Sequence, residues 1–160
     1  TSFSVENRSK TPKLRTDSIT TLVSDSGITR YRLSALQWMI FDRDTHPYWD
    51  FPEGIYVERF DEKFNVDAFV QSDKARYDQT TQIWQLDYNV IAQNLEGEKF
   101  ETEQMFWDQK NEKIYSDSLI TITQSNKIIV GYGFESNQNF TRYAIRNPQG
   151  IFTVKEEKKE

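Results

Sequence analysis

Cysteine is absent from the 160 residues, so neither a disulfide framework nor thiolate chemistry is available, and cysteine usage says nothing about the redox compartment. The single histidine excludes a His-rich metal site and leaves little material for a nucleophile-and-base pair. No apolar run approaches the roughly 18 residues that cross a bilayer; the longest, such as "KIIVGYGF" at residues 127–134, fall well short. Basic clusters are missing too: 20 basic against 25 acidic residues give a net charge of -5, which argues against nucleic acid as a partner. No phosphate-binding loop, dinucleotide fingerprint or nucleophile elbow occurs in strand-turn-helix context, so no cofactor is implied and catalysis is not expected. Gly131-Tyr132-Gly133 reads instead as a relief of crowding, or a bulge, inside a strand.

What remains suits strands. Aromatics reach 14% while Gly and Pro are sparse. The length allows one domain with a real core, since a chain of about 150 residues buries about 70% of its unfolded surface. Residues 1–18 are polar without a sustained period and read as a flexible lead, residues 155–160 as a charged tail, and residues 19–154 as the domain. Because the chain starts at Thr1, a signal, anchor or start is expected upstream. Between lead and tail the pattern has period two: Trp84, Leu86, Tyr88, Val90 and Ala92 fall on one face, Gln85, Asp87, Asn89 and Gln93 on the other. Similar runs cover residues 29–41, 54–60, 64–77, 99–107, 113–124, 127–134 and 139–146, separated by Asp25-Ser26-Gly27, Glu96-Gly97, Ser125-Asn126 and Asn147-Pro148-Gln149-Gly150. No helical period extends beyond two turns. The expected fold is all-β, with antiparallel strands joined in sequence.

Two stretches are near copies: "ARYDQTTQIWQLDYNVIAQN" at 75–94 and "MFWDQKNEKIYSDSLITITQ" at 105–124. At an offset of thirty (Trp107 minus Tyr77), Val70 falls on Phe100, Ala75 on Met105, Trp84 on Ile114, Val90 on Ile120 and Ala92 on Ile122. Both copies change phase at the same place, from even-numbered apolar positions ending at Ser72 and Thr102 to odd-numbered ones beginning at Ala75 and Met105, as a bulge would cause. Asp78-Gln79 and Asp108-Gln109 then open turns. A looser copy ends at Phe41-Asp42. Units of this kind cannot bury an apolar face alone and stack into one rolled sheet.

The densest polar stretch, "FDRDTHPYWDFPEG" at 41–54, offers Asp42, Asp44, His46, Asp50 and Glu53. Such a run could hold a hard cation or supply paired carboxylates; the simpler reading is a long loop stiffened by Pro47 and Pro52. Tyr77, Trp84, Trp107, Tyr132 and Phe134 could stack on sugars, but aromatics on the apolar phase are more simply core.

The strings "LVSDSGITRYRLSA" (22–35), "PYWDFPEGIYVERFD" (47–61), "GEKFETEQMFWDQKNEKIYSD" (97–117) and "GYGFESNQNFTRYAIRNPQGIF" (131–152) resemble the LptC family of lipopolysaccharide-export proteins, in its Bacteroidetes-type form. The resemblance covers residues 20–154. It implies an open β-jellyroll of the kind the export bridge proteins share, in the periplasm and anchored to the inner membrane, although no anchor stands in this sequence. It also implies a non-catalytic role: accepting lipopolysaccharide from an inner-membrane ABC transporter and passing it to an LptA-like bridge protein.

On that basis the inward phase, Leu33, Val66, Ala68, Val70, Trp84, Leu86, Val90, Phe100, Ile120, Ile122 and Val130, is expected to line a slot for acyl chains. The C-terminal edge at 140–152, with Tyr143 and Ile145, is expected to receive the next jellyroll, and the N-terminal edge at 19–31 to meet the periplasmic domain of the transporter. Two other readings compete: an adaptor whose core is filled, and, more distantly, a carbohydrate enzyme using the carboxylates of the 42–53 loop.

Overall fold

The structure, a computed structural model, describes residues 14–25, 28–42 and 45–154. Among them the period-two alternation becomes twelve antiparallel strands: β1 (Leu14–Asp25), β2 (Ile28–Phe41), β3 (Tyr48–Phe51), β4 (Ile55–Phe60), β5 (Val66–Ser72), β6 (Lys74–Asp78), β7 (Ile83–Asn94), β8 (Lys99–Asp108), β9 (Lys113–Ser116), β10 (Ile120–Thr123), β11 (Lys127–Asn137) and β12 (Tyr143–Thr153). β1 begins inside the stretch expected to be a lead. Residues 1–13, the 155–160 tail, Ser26-Gly27 and Asp44 lie outside the described residues. The segment expected to be one long loop carries a strand: β3 forms between Pro47 and Pro52, where Trp49 and Phe51 have an apolar layer to join.

Pairing sorts the short strands into two layers. In the first, β2 at 39–41 pairs with β3, then β6, then β7 at 83–87, β8 at 104–108, β9, β11 at 134–137 and β12 at 143–145. In the second, β2 at 31–34 pairs with β4, then β5, β7 at 91–94, β8 at 99–102, β10, β11 at 128–131 and β12 at 147–153. β2, β7, β8, β11 and β12 therefore run through both layers, and β1 pairs along both halves of β2. With β1 and β12 each paired on one side only among the described residues, the sheet is an open β-jellyroll with two free edges.

The crossings between layers line up as a seam. At β7 the register shifts between Asp87 and Val90, and Tyr88 (φ 67°) and Asn89 (φ 48°) take the left-handed conformation. This insertion turns Tyr88 out of the apolar phase assigned to it: it is exposed, with Lys74 Nζ 6.0 Å from its ring centroid. The Tyr88 carbonyl accepts from Asp73 N (2.9 Å), and Asn89 Nδ2 donates to Asp73 Oδ2 (2.6 Å), so the β7 crossing is tied to the β5–β6 junction. Gly54, between β3 and β4, lies against the same junction.

The repeat is the repetition of this crossing. Val70 and Phe100 lie in the second layer, Ala75 and Met105 in the first, Trp84 and Ile114 in the first, Val90 and Ile120 in the second. The common change of phase is the passage from one layer to the other. Even the turns correspond: Asp78 Oδ1 accepts from Thr81 N (3.1 Å) and Asp108 Oδ1 from Asn111 N (3.0 Å), and Gln82 and Glu112 both have positive φ.

Candidate functional site: the interior between the layers

Directly paired residues in antiparallel strands share a face, so the strand register defines rows that run across the strands. In the second layer Leu33, Val57, Val70, Ala92, Phe100, Ile122, Ile129 and Ile151 are successive partners, one unbroken apolar row. Eight strands at about 4.8 Å make it about 34 Å long. The facing row of the first layer is aromatic at one end: Ile40, Trp49, Tyr77, Trp84, Trp107, Ile114, Ser136 and Tyr143. Its rings touch in series, Trp49–Tyr77 at 4.8 Å between centroids, Tyr77–Trp84 at 4.7 Å and Trp84–Trp107 at 5.8 Å.

Nine of the residues expected to face inward do so: Leu33, Ala68, Val70, Trp84, Leu86, Val90, Phe100, Ile120 and Ile122 are buried between the layers. Val66 and Val130 do not. Asp67 is an extra residue in β5, where Arg59 pairs with Ala68 and Phe60 with Val66, so Val66 shares the face of Phe60 and is 40% exposed. On β11 the residue opposite Ile122 is Ile129, which places Val130 on the outer face. Gly133 (φ 76°) then changes the phase, bringing Phe134 and Ser136 inward. Counting by twos back from Phe134 therefore selects Val130 and misses Ile129. Of the five candidate stacking aromatics, Trp84, Trp107 and Phe134 are buried, Tyr77 is half-buried, and Tyr132 is exposed.

Tyr143 and Ile145 lie on the free edge strand β12, but both side chains pack against the core. The acidic loop does not converge: no group of three metal-ligating side chains forms among the described residues, and Asp50 lies 3.8 Å from Arg76, whose guanidinium is 4.4 Å from the Tyr48 ring centroid.

The interior is nearly filled. A cavity of about 20 Å³ remains, between Tyr31, Val57 and Val70 of one layer and Leu86, Met105 and Trp107 of the other. That is room for about one water, and its walls are apolar apart from Arg59 and Gln138. Burial fades toward the C-terminal edge: Ile122 is 0% exposed, whereas Ile151, at the end of the same row, is 63% exposed.

A polar cluster fastens the layers near this edge. Tyr143 Oη donates to Glu98, Gln124 Nε2 donates to Glu98 Oε2 (2.8 Å) and to Tyr143 Oη (2.7 Å), and Asn94 Nδ2 donates to Glu98 Oε1 (3.0 Å). Burial raises the Glu98 carboxyl, but these hydrogen bonds together outweigh it and hold the group below its ordinary 4.5. Burial and the Glu98 carboxylate push the Tyr143 hydroxyl up to about 12. A lowered acid stabilises the fold above its unfolded pKa, and that contribution is lost as pH falls through the folded one. A raised phenol leaves the fold unpenalised below its ordinary 10.0, and stability falls as pH rises toward about 12. The denaturant midpoint is therefore expected to drop at both extremes, with Tyr143→Phe flattening the alkaline fall between pH 10 and about 12 in a urea titration series. An unchanged alkaline limb would contradict the assignment.

The family model described as "Lipopolysaccharide-assembly, LptC-related" matches residues 4–143. No curated protein matches the chain. An open jellyroll with an apolar interior, matched by that model over most of its length, settles the family: the chain belongs to the LptC family and so takes part in lipopolysaccharide transport.

Proposed function

We propose that the chain is a periplasmic transfer module that accepts lipopolysaccharide from an inner-membrane ABC transporter and passes it along its interior to an LptA-like bridge protein. The observation that carries this reading is the row from Leu33 to Ile151, apolar at every strand, sealed in the middle and exposed where it meets the free β12 edge. An acyl chain of roughly twelve carbons would gain on the order of 10 kcal/mol there before ordering costs. Affinity of that size suits an interior that opens in part, with the transporter driving movement onward. The β12 edge would receive the bridge protein by strand addition, and the β1 edge would meet the transporter's periplasmic domain. No bond of the cargo is broken, and we assign no catalytic residue. Among the described residues no helix is long and apolar enough to cross a membrane, so the inner-membrane anchor belongs to this proposal rather than to the strands.

A filled-core adaptor is the second reading, favoured by the small residual cavity. A photo-crosslinking residue at Val90 separates the two. The transfer module is expected to give lipopolysaccharide adducts at Val90 and none at the outward Asn89; silence at Val90 and at every buried position of the Leu33–Ile151 row would establish the adaptor. Because Tyr143 and Ile145 face inward, the edge itself is better tested with crosslinkers at the exposed Ala144 and Arg146, which are expected to capture the bridge protein.

A further inference from the structure

The β11–β12 turn differs from the first-layer turns at 79–82 and 109–112 in what it touches. Phe140 points back between the layers, is 2% exposed, and packs its ring 5.0 Å from Phe100 and 6.3 Å from Phe134. Gln138 Oε1 accepts from Tyr31 Oη (2.8 Å) in the second layer and from Trp107 Nε1 (2.7 Å) in the first. Asn94 Nδ2 of the second layer donates to the Phe140 carbonyl (2.9 Å). Gln138 and Phe140 both line the residual cavity.

We propose that this turn is a plug: Phe140 occupies the position of a saturated acyl chain in the interior, and the turn must lift out before such a chain can enter. The idea rests on the transfer reading and adds to it the element that closes the site. Three observations support it. The turn is held across the layers by side-chain hydrogen bonds, while its backbone bonds, Asn137 N to the Arg142 carbonyl (3.1 Å) and Phe140 N to the Asn137 carbonyl (3.2 Å), stay within the β11–β12 hairpin. Thr141 and Arg142, at its outer end, are exposed, so only the Gln138, Phe140 and Asn94 contacts hold it to the layers. Phe140 has φ 59°, a conformation uncommon for a bulky residue, and its ring burial offsets the strain. An apolar cavity of about 150 Å³ with walls of this kind stays dry and takes a benzene-sized ligand. Removing the Phe140 ring is expected to leave an apolar site able to accept a small hydrophobic probe.

The test uses the 160-residue chain and the fluorescent probe N-phenyl-1-naphthylamine. Phe140→Ala is expected to bind the probe about tenfold more tightly than the unmodified chain, and Gln138→Ala, which keeps the ring but frees the turn, to fall between them. A folded Phe140→Ala, judged by near-ultraviolet circular dichroism, that binds no more probe than the unmodified chain overturns the plug. Should Phe140→Ala not fold, a lock decides. The chain has no cysteine, so Glu98→Cys with Arg142→Cys, joined by a short bis-maleimide, fixes the turn to the second layer. The lock is expected to abolish probe binding by Gln138→Ala and lipopolysaccharide capture at Val90; capture and probe binding unchanged by the lock overturn the plug. Probe entry controlled by the turn, with no lipopolysaccharide captured at Val90 in any variant, would keep the plug and remove the lipopolysaccharide reading.

Discussion

Phe100→Ala is expected to destabilise the fold by about 3–5 kcal/mol, the range for truncating a fully buried aromatic residue. Phe100 is 0% exposed, sits midway along the apolar row, and packs against Phe134, Phe140 and Tyr143 at 5.5, 5.0 and 5.1 Å between ring centroids. Those three rings belong to β11, the plug turn and β12, so one truncation loosens every element at the C-terminal edge. The neighbouring walls are strands held by ladders on both sides, and they cannot collapse to refill the space. Urea denaturation measures the effect. Leu95→Ala, at a side chain 70% exposed, is the control and is expected to stay within about 0.5 kcal/mol of the unmodified chain. A similar small change at Phe100 would mean that the centre of the row is not packed.

Gly54→Ala is expected to be the most damaging glycine substitution, for a reason separable from backbone strain. Gly54 has φ 84°, and an added Cβ would lie 2.1 Å from the Ser72 carbonyl oxygen, with Asp73 backbone atoms at 3.0 Å. No side chain can rotate to relieve that contact; one of two layer crossings has to shift. Gly97→Ala isolates the strain alone, because Gly97 has φ 81° but its nearest neighbour is the Gln93 Nε2 tip at 3.9 Å. The Gly97 variant is expected to lose about 1–2 kcal/mol, the cost of a left-handed L-residue. The Gly54 variant is expected to lose at least about 2 kcal/mol more, in the range of overpacking in a tight site. Equal losses in thermal or urea unfolding would show that the seam yields freely.

Much of this architecture is legible in the amino-acid sequence. Alternation marks the strands because each has one dry and one wet face, and the offset of thirty between "YDQ" and "WDQ" locates both the turns and the crossings. What is not legible comes from single-residue events that parity cannot count. Asp67 in β5, the Tyr88-Asn89 pair in β7 and Gly133 in β11 each shift the phase locally, which is why Val66, Tyr88 and Val130 turn outward and Ile129 inward. β3 is hidden by its prolines and acidic neighbours, since Trp49 and Phe51 acquire an apolar partner only when Tyr77 and Ala75 pair with them. The plug is hidden for the opposite reason: the alternation places Phe140 in the strand run at 139–146, and nothing local says that it belongs to a turn and folds back between layers. Edge strands at both ends follow from a rolled sheet, whereas the inward packing of Tyr143 and Ile145 depends on the long-range contacts with Glu98 and the core.

The layered pairing also has a kinetic consequence. Among the described residues the most distant strand partners are thirty positions apart, Tyr48 with Asp78, and the first and last strands never pair. A β-sandwich normally folds slowly because its ladders join remote parts of the chain. Here every ladder closes a short loop, as in a repeat array, so assembly can begin at any hairpin and spread outward in both directions.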